Sequence, residues 1–72
     1  MKQYIVSNPE ILGGKPVVKG TRIPVDQILF LLNENYPIEA IHELYPQVSI
    51  ETIKGTIGEA AQIVNTHASQ IS

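Results

Sequence analysis

Glycine and proline crowd into the first third of the chain, and that placement divides the molecule. Asn8-Pro9, Gly13-Gly14, Pro16, Gly20 and Pro24 interrupt residues 1–24 so often that helix propensity is poor there. Between the breaks stand short β-branched pieces, Ile5-Val6, Val17-Val18 and then Ile23, which suit a pleated, half-buried surface. The pattern predicts two short strands, Tyr4-Val6 and Pro16-Lys19, paired with each other. Gly13-Gly14 and Gly20 supply positive-φ turns. A hairpin this small is marginal in water, so it must lean on another element.

Beyond Pro24 the rules change to helix. Val25, Ile28, Leu29 and Leu32 recur at i, i+3, i+4 and i+7, which predicts a first helix over Val25-Asn33. Pro24 stands near its start and Asp26 favours the positive end of the dipole. Phe30 and Leu31 lie off that stripe, so this helix needs cover on more than one side. Asn35 tolerates the left-handed conformation that ends helices. A second helix follows over Pro37-Leu44 and stops at Tyr45-Pro46. Ser49 caps a third helix, with Glu51 in its first turn and Ile50, Ile53, Ile57, Ala60, Ala61 and Val64 on its inner face. Gly55 and Gly58 each cost this helix about 1 kcal/mol relative to alanine, which suggests close approach to another backbone or a bare patch. The expected architecture is therefore mainly α. An N-terminal β arm (1–24) precedes a three-helix core (25–65), and a polar, fraying tail occupies 66–72. About four residues separate the second and third helices, the spacing of a helix-turn-helix.

Seventy-two residues make one domain at most. A chain of that size buries only roughly 60% of its unfolded surface. There is no cysteine, hence no disulfide framework and no thiolate metal site, and His42 and His67 lie far apart with no carboxylate cluster beside either. Neither a metal nor a cofactor is expected. The longest apolar run, Ile28-Leu29-Phe30-Leu31-Leu32, is far too short to span a bilayer, and the first residues do not read as a signal peptide. The expectation is a cytoplasmic domain with no membrane partner.

Charge is segregated along the chain. Residues 1–24 hold Lys2, Lys15, Lys19 and Arg22 against Glu10, a net +3; residues 25–72 hold Lys54 against six acids, a net −5. Such asymmetry suggests two surfaces with different tasks, although Glu-rich helices and Lys-rich loops give the same split.

The run from Asn8 to Val25, with Gly13-Gly14-Lys15-Pro16 and Gly20-Thr21-Arg22-Ile23-Pro24-Val25, resembles the signature of a small prokaryotic family known as domain of unknown function 433. Tyr45-Pro46 followed by Ser49-Ile50-Glu51-Thr52-Ile53 resembles it too, and the likeness runs from Ile5 to about Val64. The resemblance implies a three-helix, homeodomain-like core. It also implies an antitoxin of a type II toxin-antitoxin pair, acting on a toxin with a PIN-like nuclease fold. The family often places a glycine and then Ser or Thr before its second helix; here Asn35-Tyr36 stands there, and the usual side-chain cap is missing.

The residues themselves allow three kinds of chemistry to be weighed. A nuclease centre gathers carboxylates, and arginine meets a carboxylate through a planar, permanently charged fork. Arg22, the one arginine of the chain, is thus the candidate partner contact, with Lys15 and Lys19 beside it. The opposing reading makes Arg22 an internal clamp on helix carbonyls or an acid of its own fold. Operator DNA would be met by Ser49, Thr52 and Lys54 at the start of the third helix, for autoregulation or as a transcriptional regulator without a toxin. Lys54 is the one cation there and Glu51 opposes phosphate. For catalysis, the order of Lys19-Gly20-Thr21 departs from a phosphate-binding loop, and no nucleophile, base and orienting acid can be assembled, so no enzyme is expected. Eleven isoleucines are more than three short helices can hide. Phe30, Leu31 and Ile63 are therefore expected at an interface, with a homodimer as the simplest arrangement, unless the arm folds back over Phe30 and Leu31.

Overall fold

Three helices follow a two-stranded ribbon, in the order the Gly/Pro pattern predicts. The computed structural model describes the backbone of residues 3–71 and the side chains of residues 3–65. The elements are β1 (Ile5–Val6), one turn of 3-10 helix (Leu12–Gly14), β2 (Val17–Val18), α1 (Val25–Asn33), α2 (Ile38–Leu44) and α3 (Ile50–Ile71). The strands are antiparallel, with Ile5 opposite Val18 and Val6 opposite Val17. The tail expected over 66–72 has its side chains outside the described residues, while the helix itself is drawn to Ile71. Among the described residues, no helix is long and apolar enough to cross a membrane.

Each boundary has a local cause. Asn35 takes φ +68. The Tyr36 N–H then donates to the Leu31 carbonyl and the Asn35 N–H to the Leu32 carbonyl, both at 3.0 Å. This is the paired bonding of a Schellman ending, which satisfies carbonyls that α1 would otherwise leave orphaned. Pro37 precedes α2 in an extended conformation, and no side chain caps that helix, as the Asn35-Tyr36 pair predicts. Ser49 does cap α3: its Oγ accepts the Thr52 N–H at 3.1 Å. His42 ties α2 to the turn before α3 through Nδ1 and the Val48 carbonyl, 2.6 Å apart.

Val18 and Ile23 of the N-terminal β arm (here the strap, residues 3–24), Ile28 and Leu31 of α1, Ile41 of α2, Val48 and Ile53 form one buried cluster. Ile5, Val25 and Ala60 form a smaller one beside it. Val17 and Val18 are fully buried, so the N-terminal β arm, over residues 3–24, forms a wall of the core.

Two expectations about helix faces are corrected. Leu31, expected at an interface, is 6% exposed and sits in the core, whereas Leu29, placed on the stripe, is 38% exposed. The buried arc of α1 runs through Val25, Ile28 and Leu31, with Leu32 partly buried. Ile28 to Leu32 are all apolar, so composition alone leaves the rotation of this helix undetermined; the strap and α3 settle it. On α3 the buried positions are Ile53, Thr56 and Ala60, with Ile57 packed against the core. Ala61 and Val64, expected inside, are exposed. Thr56 is fully buried and satisfies its hydroxyl by donating to the Thr52 carbonyl at 2.8 Å.

Candidate functional site

The Gly-Thr-Arg block is a braced turn. The Thr21 N–H donates to the Val18 carbonyl at 3.0 Å. Gly20 holds φ +79 at the third position, the geometry of a type II turn, which L side chains resist there. Thr21 braces it twice: its Oγ1 donates to the Val18 carbonyl at 2.8 Å and accepts the Ile23 N–H at 3.0 Å. The chain then returns alongside β2. The Val18 N–H donates to the Ile23 carbonyl at 2.9 Å and the Val25 N–H to the Pro16 carbonyl at 3.0 Å. Arg22 and Lys19 are the exposed side chains of this turn. The internal clamp that the sequence allowed Arg22 to be is Thr21 instead. Among the described residues, neither cation has a hydrogen-bond or ion-pair partner assigned to its side chain.

Arg22 borders a groove of about 730 Å³. Val6, Pro9 and Ile11 give it apolar lining, and Ser7, Asn8, Thr21 and Gln47 give polar lining. Its far wall is an Asn-Pro turn, in which Asn8 accepts the Ile11 N–H through its carbonyl (2.8 Å) and the Glu10 N–H through Oδ1 (2.9 Å). An exposed guanidinium on a fixed turn, next to a surface mixing apolar and polar groups, suits recognition of a carboxylate on a macromolecule.

The other predicted site residues fall apart from this groove. Lys15, expected to join Arg22 and Lys19, pairs with Asp26 at 2.9 Å, both side chains more than half exposed. That pair borders a second groove, lined by α1, α3 and β1. The reason is register: Lys15 enters β2 opposite the start of α1, while Lys19 and Arg22 leave from its other end. Phe30 is 54% exposed and lines neither groove. At the start of α3 the Ser49 hydroxyl donates to Thr52 Oγ1 at 2.9 Å, besides accepting the Thr52 N–H. The Ser49 hydroxyl proposed for DNA is therefore engaged in the cap and the Thr52 hydroxyl accepts from it, with Lys54 exposed beside them.

Sequence reasoning missed the latch that seats the strap on α3. Glu59 accepts the backbone N–H of Tyr4 at 2.8 Å and that of Ile5 at 3.3 Å. The ring of Tyr4 lies so close over Gly55 that a Cβ there would overlap it. Gly55 and Glu59 stand four residues apart, hence on one helix face. A glycine one turn before an acid was the available signal; of the two readings at Gly55 and Gly58, close approach to another backbone or a bare patch, Gly55 is closely approached, by the Tyr4 ring rather than by backbone, and Gly58 faces open space.

The chain is 36% identical over 53 residues to "Uncharacterized protein y4eO" of Sinorhizobium fredii (strain NBRC 101917 / NGR234). The match covers 74% of this chain and 24% of that relative, so the chain matches about a quarter of the relative's length. No solved structure matches the chain. Residues 5–60, which contain both strands, the braced turn and the latch residues Gly55 and Glu59 though not Tyr4, match the family model described as "Protein of unknown function (DUF433)", and the chain belongs to that family.

Proposed function

We propose that this domain works by docking, as the antitoxin of a type II pair that neutralises a PIN-like ribonuclease by direct contact. Arg22 makes the central contact and Lys19 adds charge beside it. A nuclease centre built from carboxylates offers the arginine fork a bidentate partner, and a cation seated among those acids keeps metal and RNA out. The observation that carries the reading is the Arg22 side chain: exposed, held on a braced turn, beside a groove, with no acid assigned to it among the described residues. The competing reading, a transcriptional regulator bound to operator DNA, has less support. The Ser49 hydroxyl is already engaged in the cap and in a bond to Thr52, and Lys54 alone supplies little phosphate affinity.

The test is co-expression with the product of the adjacent gene. Wild type is expected to copurify with it and to suppress its ribonuclease activity. Arg22→Ala is expected to keep its circular dichroism spectrum and to lose about thirtyfold or more in affinity, as truncation of a desolvated charge pair does. Undiminished affinity in a folded Arg22→Ala would refute the contact. A gel shift on the upstream DNA without any protein partner would move the function to the competing reading.

A further inference from the structure

One edge of the β1–β2 ribbon is only half covered. The Lys19 N–H donates across the ribbon to the Tyr4 carbonyl, whereas the Val18 N–H turns the other way, to the Ile23 carbonyl. Main-chain groups alternate sides along a strand, so Ile5, opposite Val18, directs its N–H and carbonyl away from β2, and Ser7 does the same two residues on. The outer side of β2 is taken by the returning chain, with Val17 bridged to Pro24, so the open edge belongs to β1. Glu59 covers its first position by accepting the Ile5 N–H at 3.3 Å. Among the described residues, nothing is bonded to the N–H or carbonyl of Ser7, which is exposed. Pro9, which has no N–H, ends the edge two residues later. Unpaired groups on a strand edge are a template for another extended chain.

What stands beside Ser7 says which chain. Ser7 lines the same groove as Arg22, and that lining holds one formal charge, the arginine, and no acid. Val6, Pro9 and Ile11 add apolar contact. A nucleic-acid strand needs several cations for its phosphates and meets one here. The same edge of a second copy would bring another arginine and no acid. A helix has no spare main-chain groups for Ser7, because its own ladder uses them. An extended peptide carrying a carboxylate meets every demand: main-chain bonds to Ser7, an acid for the guanidinium fork, and alternate side chains for the apolar lining.

We infer that the Arg22 groove takes an extended acidic segment of a partner protein, added antiparallel to β1. One residue of the segment exchanges both main-chain bonds with Ser7, and a neighbouring Asp or Glu meets Arg22. This deepens the docking reading: it rests on Arg22 meeting a partner's carboxylate, and not on that partner being a ribonuclease.

Random decapeptides displayed on phage and panned on the immobilised whole chain test it, with the enriched sequences synthesised and titrated by NMR. Enriched peptides are expected to carry Asp or Glu. The Ser7 amide, unbonded in the free chain, is expected to exchange with solvent at least about tenfold more slowly once a peptide is bound. Arg22→Ala should weaken peptide binding about thirtyfold. Ser7→Pro removes one main-chain donor and should weaken it about tenfold, whereas Ser7→Ala should leave it unchanged, because the side chain is not used. Ser7→Pro is expected to fold, since the N–H it lacks has no partner in the free chain; if it does not, the Ser7 amide decides alone. Enrichment of no peptide, enrichment of acid-free peptides, or a Ser7 amide that exchanges equally fast with and without peptide would each overturn the inference. A ribonuclease that copurifies equally with wild type and with folded Ser7→Pro would overturn it too, while leaving the antitoxin reading in place. Acidic peptides that protect Ser7, with no ribonuclease copurifying, would do the reverse.

Discussion

Gly55→Ala sets two known effects against each other, and the structure decides the sign. Intrinsic propensity alone predicts stabilisation by about 1 kcal/mol in the interior of α3. Against this, the new methyl would overlap the Tyr4 ring. The ring cannot retreat with its backbone, because Glu59 holds the Tyr4 and Ile5 amides; it must swing off the helix. Lifting half of an aromatic side chain into water re-exposes on the order of 100 Å², about 2.5 kcal/mol at 25 cal/mol/Å². The net expectation is destabilisation by about 1.5 kcal/mol, or roughly 6–12 °C in Tm for a domain of this size. A double-mutant cycle isolates the cause. In a Tyr4→Ala background the overlap is gone, and Gly55→Ala should stabilise by about 1 kcal/mol. Urea unfolding followed by circular dichroism measures all four proteins. A Gly55→Ala chain more stable than wild type, or the same sign in both backgrounds, would refute the latch.

Two further changes probe the strap. Thr21→Val keeps the side-chain shape but leaves the Ile23 N–H without its acceptor, and should cost about 1–3 kcal/mol in urea unfolding, whereas Thr21→Ser should recover most of it. Lys15→Ala breaks an exposed ion pair and should change stability by less than about 1 kcal/mol; because Lys15 lies away from the Arg22 groove, partner affinity in the pull-down should hold as well.

Local signals were legible wherever chemistry at one or two residues fixes the backbone. Asn35, Gly20 and Ser49 announced a helix end, a turn and a cap, and all three stand where expected. The strand pairing followed from where breakers left room for β-branched residues. Helix rotation was not legible. In α1 five consecutive apolar residues present no polar face, so the choice of Leu31 over Leu29 for the core depends on what packs there. On α3, a threonine occupies a fully buried position that pattern reading reserves for a hydrophobe; bonding to its own helix makes that tolerable. At the candidate site, Arg22 and Lys19 were legible as exposed cations. The separation of Lys15 was not, because strand direction, not sequence distance, carries it to the opposite side.

The burial of Val17 and Val18 changes how presentation of Arg22 and stability relate. Were residues 1–24 a loose arm, fixing the arginine would take ordering entropy from every binding event. Here the turn bearing Arg22 grows from a fully buried strand, and Thr21 braces it on both sides. Its ordering belongs to folding rather than to docking. The same economy has a consequence for so short a chain: the strap lines the core, so whatever unseats it from Glu59 and Gly55 also opens the core cluster around Val18 and Ile23. A partner that grips Arg22 binds only the state with the strap in place, and by linkage it must stabilise the whole domain as it does so.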